Sequence, residues 1–425
     1  MSRIRTLMVD DLRDEEEDDR VSSFGRGSQR GAPYVSLEAS PNEMKMLTSS
    51  YSSRGASFKD VAMLASFDTS TMVLAAAGDG SDQMAGYEKR RGLTADSPFT
   101  VWGHGAKASD KNTYYEGGSD DKRQGGDIWG YNLGLDYKVH ERLFTGVSLG
   151  YTETDMTTTF NTGTYDEINY SVSPYAVYQP TDRATISLIT GYSIGDIDRT
   201  RDTTAITSVT SDTESYMWFA SVAGEYELQP LDDYPFDIKA SVSFLASKKT
   251  IKSYAESDGT QVEKASSNTR EVKPGLEMAY RIDAQGTTLQ PFVNAHYIYD
   301  FKDNINGDDN AYNLGGGVRF SSGGKGIFGS IEGEKQLGRS NYHHYTFSGQ
   351  IAYSFDIDGT DGGKLGIASP YVSTNFSQAG SNQIGIGFKF INDGGYFKTK
   401  LDLTRSIQPA AAGGTVGRLD VNLRF

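Results

Sequence analysis

The sequence predicts an all-β protein, a transmembrane antiparallel up-and-down β-barrel over residues 99–425 that closes on a strand ending at Phe425. Three observations predict it. From Phe99 onward apolar and polar residues alternate over runs well beyond the roughly five or six residues of an ordinary strand. Short and long turn-rich links separate these runs by turns. The chain is rich in Gly (48), Tyr (26) and Phe (20), yet its mean hydropathy is −0.50. A membrane strand gives such an average because every second residue faces water.

The elements follow in order. Residues 1–56 are polar, acidic in the run Asp14–Asp19 and then rich in Ser and Gly, and they read as a disordered tail or a vestigial passenger. Residues 57–98 read as a short helix and linker. Ser57 and Asp60 resemble a helix-capping pair, and Phe58, Val61, Ala62, Leu64 and Ala65 keep helical spacing up to Gly78.

Sixteen strands are expected after that, an even number as single-chain bacterial barrels require. They lie near 99–109, 126–139, 142–155, 164–179, 183–199, 213–229, 235–250, 268–283, 288–301, 311–321, 326–336, 344–355, 364–376, 382–391, 395–405 and 415–425. Phe236, Ile238, Ala240, Val242, Phe244 and Ala246 share one face of their run, against Asp237, Lys239, Ser241 and Ser243. Tyr345, Phe347, Ile351, Tyr353 and Phe355 do the same. Tyr and Trp residues gather at strand ends, where a membrane interface would hold them. Short turns at 140–141, 179–182 and 283–287 alternate with longer links at 110–125, 200–212, 251–267 and 302–310. That asymmetry puts the C-terminus on the periplasmic side of an outer membrane.

Other classes are excluded or expected absent. With no cysteine there is no disulfide and no thiolate metal site. A net charge of −15 argues against nucleic acid as a partner. No apolar run approaches the roughly 20 residues of a membrane-spanning helix. The start, MSRIRTLMVDDLRDEEEDDR, has no apolar core and so is no secretory signal, and a start further upstream is expected.

Several stretches resemble the translocator barrel of the autotransporter (type V secretion) family: VWGHG at 101–105, WGYNLGLDYKV at 129–139, LFTGVSLGYTETD at 143–155, PYAVYQ at 174–179, ISLITGYSIGDIDRTR at 186–201, LQPFVNAHYIYDF at 289–301, NLGGGVRF at 313–320 and HYTFSGQIAYSF at 344–355. The resemblance covers 99–355. It implies a twelve-stranded barrel, to which about four C-terminal strands are added here. It further implies a helix threading the pore, so the chain's own N-terminal segment is an expected partner, and an N-terminal passenger carried outside. Residues 57–91 contain no Asn, so the Asn-Asn junction of self-cleaving members is missing. A terminal aromatic strand, here Val421, Leu423 and Phe425, would be read by the barrel-assembly machinery. Outer-membrane lipid is the remaining expected partner. A porin-like channel, or a structural or adhesive outer-membrane protein, is the alternative function. An enzyme is not expected.

Candidate site residues are few. Lys273, Glu277, Arg281, His296, Glu332 and Glu334 fall on polar faces and are expected to line the pore. Asp356, Asp358 and Asp361, in DIDGTDGG, are weak candidates for calcium because they lack the distal Glu of an EF-hand. An Asp-Gly turn explains that segment with less. No cofactor is expected, and no Ser/His/Asp grouping stands out.

Overall fold

The computed structural model describes residues 98–112, 124–140, 142–158, 163–181, 183–202, 208–228, 236–284, 287–301, 309–322, 326–338, 344–360, 363–377, 383–392, 397–406 and 415–424. Among these no helix occurs. The expected tail at 1–56, the helix and linker at 57–98 up to residue 97, Asp361 and Phe425 lie outside the described residues.

Among the described residues twenty strands follow one another. They are β1 (Phe99–Asn112), β2 (Gln124–His140), β3 (Leu143–Thr158), β4 (Gly163–Thr181), β5 (Ala184–Asp202), β6 (Ser208–Leu228), β7 (Phe236–Ile251), β8 (Tyr254–Ala255), β9 (Gln261–Val262) and β10 (Ala265–Tyr280). Then come β11 (Ile282–Ala284), β12 (Thr287–Asp300), β13 (Asn310–Ser322), β14 (Ile327–Leu337), β15 (His344–Tyr353), β16 (Phe355–Asp358), β17 (Lys364–Ser377), β18 (Gln383–Asn392), β19 (Phe397–Ser406) and β20 (Thr415–Arg424). β10 with β11, and β15 with β16, each form one stave with a single-residue break. β8 and β9 make a small ribbon of their own. Sixteen antiparallel staves remain.

The sheet closes. β20 pairs with β1 from Thr100↔Arg424 to Ser109↔Thr415. Phe355 pairs with Ala368 of β17 rather than with β1, so the sheet runs on past the twelfth stave. Closure leaves no backbone edge facing lipid along that seam, the condition a membrane strand must meet.

Alternation is what makes these residues strands, and it sorts cleanly. On β2, Tyr131, Leu133, Leu135 and Tyr137 are exposed while Asn132 and Asp136 between them are buried. On β15 and β16, Tyr345, Phe347, Ile351, Tyr353 and Phe355 are all exposed. The apolar face therefore points outward and the polar face inward, the inverse of a soluble fold. Tyr131, Tyr151 and Tyr170 stand opposite one another on β2, β3 and β4 with ring centroids 6.4 and 5.4 Å apart. At the other end of the strands Phe99–Tyr137 and Phe236–Tyr280 pack at 5.0 and 4.8 Å. Two aromatic belts thus bracket the apolar band.

The staves differ in length. β4 and β5 have 19 residues and β6 has 21, whereas β18, β19 and β20 have 10. A tilted strand crosses a bilayer in roughly 9–11 residues, so β3–β6 rise well beyond it at the end with the long loops. On this raised wall Asp127, Asp155, Asp166, Asp198 and Asp212 stand directly opposite one another across β2 to β6. They share the outward face, four residues beyond the tyrosine row. Lys107 pairs with the first of them at 2.9 Å.

Some boundaries differ from expectation. β6 starts at Ser208 rather than 213. The link expected at 251–267 holds the β8–β9 ribbon, and β10 begins at Ala265. The expected strand 268–283 breaks at Arg281. Part of the expected Asp-Gly turn is strand β16, which pairs with β17 through a register shift at Ile357/Asp358. Polar turn composition cannot show where pairing with a distant strand continues.

Candidate functional site: the inner wall of the barrel

Between β1 and β7 the inner wall is packed. Trp102 on β1 lies over Gly134 of β2, and Tyr175 on β4 lies over Gly146 of β3. A Cβ on either glycine would overlap the ring, so the missing side chain is what admits the aromatic. Trp102 Nε1 donates to Asp136 Oδ1 at 3.0 Å and to the Tyr175 hydroxyl at 2.8 Å. The Tyr175 hydroxyl donates in turn to Asp136. With Val177, Ile189, Met217 and Phe219 these rings form a buried apolar cluster.

Beside it sits a buried ion pair. Lys249 Nζ on β7 reaches across two strands to Glu167 Oε1 on β4 at 2.6 Å. Ser215 Oγ and the Tyr165 hydroxyl also donate to Glu167, at 2.9 and 2.6 Å. A buried carboxylate persists only when its oxygens are occupied in this way.

From β10 to β15 the inner wall is charged, and its carboxylates are held by an arginine and by neutral donors. Arg319 on β13 grips Glu277 of β10 with two bonds of 2.7 and 2.9 Å. Its guanidinium lies 3.9 Å from the ring centre of Phe292 on the intervening β12. Asn313 Nδ2 donates to Glu334 at 2.7 Å, and Ser348 Oγ donates to Glu332 at 2.9 Å. His296 lies over Gly275. Lys273 is half-buried on the same inward face as Glu277. Arg281 stands apart, exposed at the break between β10 and β11 and paired with Asp283 at 2.9 Å.

At the long-loop mouth the β8–β9 ribbon folds against the inward face of β5. Arg201 donates twice to Glu256, with Nε–Oε1 at 3.0 Å, and Glu256 is buried. Arg199 Nη1 donates to the Tyr254 hydroxyl at 3.2 Å, and its guanidinium lies 4.9 Å from the ring centre of Tyr165.

The other candidates are placed as follows. Asp356 pairs with Lys364 at 2.7 Å, and Asp358 closes β16. Among the described residues no three His, Asp or Glu side chains are grouped to hold a metal ion. Leu423 is exposed and stands opposite Val101, and Val421 stands opposite Gly103. Sequence reasoning missed Trp102, Asp136, Tyr175, Glu167 and Lys249. For Trp102 and Tyr175 the partial signal was an inward aromatic and an inward glycine on different runs, and nothing in the sequence joins Glu167 to Lys249.

Comparison with known proteins bears on this barrel. A family model described as the autotransporter β-domain matches residues 101–332, more than half of the chain. No curated protein matches. Among solved structures, the translocator domain of autotransporter NalP from Neisseria meningitidis is 11% identical, covering 84% of this chain and 95% of its own, with a TM-score of 0.45. The β-domain of the Bordetella autotransporter BrkA is 14% identical, covering 78% and 100%, with a TM-score of 0.39. The Pseudomonas putida toluene transporter TodX is 12% identical, covering 78% and 91%, with a TM-score of 0.44. All three scores lie below 0.5, so membership rests on the family model. This closed sixteen-stave barrel, apolar outside and polar within, belongs to the autotransporter β-domain family of the outer membrane.

Proposed function

We propose that the barrel carries or anchors its N-terminal segment at the cell surface, with the C-terminus in the periplasm. One observation carries this reading. β1 starts at Phe99, opposite Tyr137 and beside the short turn into β3, so the N-terminal segment joins the barrel at the short-turn end. If the long loops face outward, as in outer-membrane barrels generally, that segment can reach the surface only through the lumen. Lys273, Glu277, His296, Glu332 and Glu334 would then line its passage, and a helix at 57–77 would be what the lumen holds. The segment 356–425 would be two hairpins added to a twelve-strand unit, with Val421, Leu423 and Phe425 offered to the assembly machinery. The reading includes no catalytic role. The family match favours it over a porin-like channel.

The test is proteinase shaving of intact cells carrying tags at residue 30 and in the 302–310 loop. Both tags should be cleaved from outside. A cleaved loop tag with a protected tag at residue 30 would overturn surface delivery. A protected loop tag would overturn the orientation.

A further inference from the structure

β6 outruns its neighbour. Its pairing with β7 begins at Ser215↔Ile251, whereas its pairing with β5 continues out to Asp202↔Ser208. Residues 208–214 therefore present a strand edge on the β7 side, and an open edge accepts an extended chain. The strap 252–257 lies along that edge. Lys252 N–H donates to Glu214 O at 3.0 Å, Ser257 N–H to Thr210 O at 2.9 Å, and Thr210 N–H to Ser257 Oγ at 3.0 Å.

The strap also carries a side-chain pattern. Tyr254 and Glu256, two residues apart, meet Arg199 and Arg201, also two residues apart. Both arginines lie on the inward face of β5, so the Tyr254 and Glu256 side chains reach over β6 to meet them. The regular β6–β7 ladder has ended by then, and two backbone bonds replace it over six residues. Two ionic ties add to them, Arg201 to Glu256 and Lys252 Nζ to Glu214 Oε2 at 2.6 Å, and of these the Arg201–Glu256 pair is two-pronged and buried at Glu256.

We propose that the outer edge of β6, with Arg199 and Arg201 beside it, is a strand-addition site that the chain's own 252–264 hairpin occupies. The partner it fits is an extended peptide with an aromatic residue and a carboxylate two positions apart. Main-chain bonds to Thr210 and Glu214 would give affinity, and the two arginines would choose the side chains, the usual division in strand addition. The strap is then a built-in competitor, released when Arg201 and Glu256 separate. The inference is independent of which way the N-terminal segment travels.

The test has two arms on the full-length chain folded in detergent micelles. In the first, Glu256→Gln should speed hydrogen exchange at Lys252, Thr210 and Ser257 at least tenfold and leave the amides of 216–226 unchanged. In the second, residues 253–263 are replaced by a Gly/Ser linker, and a labelled peptide of sequence SYAESDGTQV is added. Binding should be saturable, at least tenfold weaker for the peptide with Gln in place of Glu, and lost with Arg201→Gln. Should the linker variant not fold, the Arg201→Gln chain replaces it in the exchange arm, with the same tenfold expectation. Unchanged exchange in either charge variant, or peptide binding indifferent to Arg201, would overturn the proposal.

Discussion

Gly134 and Trp102 form one unit although they lie on different strands. The ring occupies the space where a side chain at 134 would stand. Gly134→Val should therefore displace Trp102 from Asp136 and Tyr175, and overpacking of this kind costs about 1–3 kcal/mol. A urea titration of the refolded barrel would register it as a lower unfolding midpoint, and Gly417→Val, with nothing within 4 Å of its Cβ, should leave the midpoint nearly unmoved. At the tip of the strap, Asp258 Oδ1 accepts the Thr260 N–H at 2.9 Å. That bond holds the Asp258 carboxyl below its ordinary range. A depressed carboxylate contributes its stability above the unfolded pKa and loses it as pH falls through the folded one. Corrected for intrinsic rate, amide exchange at Thr260 should be flat at neutral pH and rise only below the usual carboxylate range. A rise already near neutrality would contradict the assignment.

A strand in this barrel is defined by which face meets lipid. Leu149 on β3 is 63% exposed and stands two positions from the tyrosine row, toward the apolar band. Leu149→Arg should cost about 2–4 kcal/mol when unfolding is measured from phospholipid bilayers, the penalty of a cation on a barrel's lipid face near mid-depth. The same alternation is why the staves were legible in the sequence. Period two needs only neighbours in the chain, so β7, β15 and β20 appear within a residue or two of their expected bounds. Pairing that depends on remote residues was not legible. Trp102 meets Asp136 and Tyr175 across 34 and 73 positions, and Lys249 meets Glu167 across 82. Nor does composition separate the β8–β9 ribbon from a plain loop, because its fastening lies on β5 and β6. Alternation did place His296 on the polar face, whereas its seat over Gly275 required knowing that β10 and β12 are neighbours.

For the whole molecule, closure is the decisive property. β16 finds its partner in β17 and β1 finds its partner in β20. A chain ending at residue 355 would leave the edges of β1 and β15 to seek each other across the gap of four missing staves. Such a truncation should lose the compact, heat-sensitive migration of a folded barrel in unheated SDS gels. A truncated chain that still migrated as a closed barrel would show that twelve staves suffice.

The row of aspartates on the raised wall has a mechanical consequence. Like charges facing one another across strands are destabilising, so Asp155, Asp166, Asp198 and Asp212 weaken the sheet where they face one another, while Asp127 at the end of the row is offset by Lys107. What they do is limit how far the barrel can sink. Pushing the wall down by the four residues that separate the two rows, about 13 Å along a strand, would drag these carboxylates into hydrocarbon together, while the tyrosine row resists movement from just beneath. The molecule thus floats with a fixed waterline on its tall side, and its short side, with staves of ten residues, has little freedom to tilt away from it.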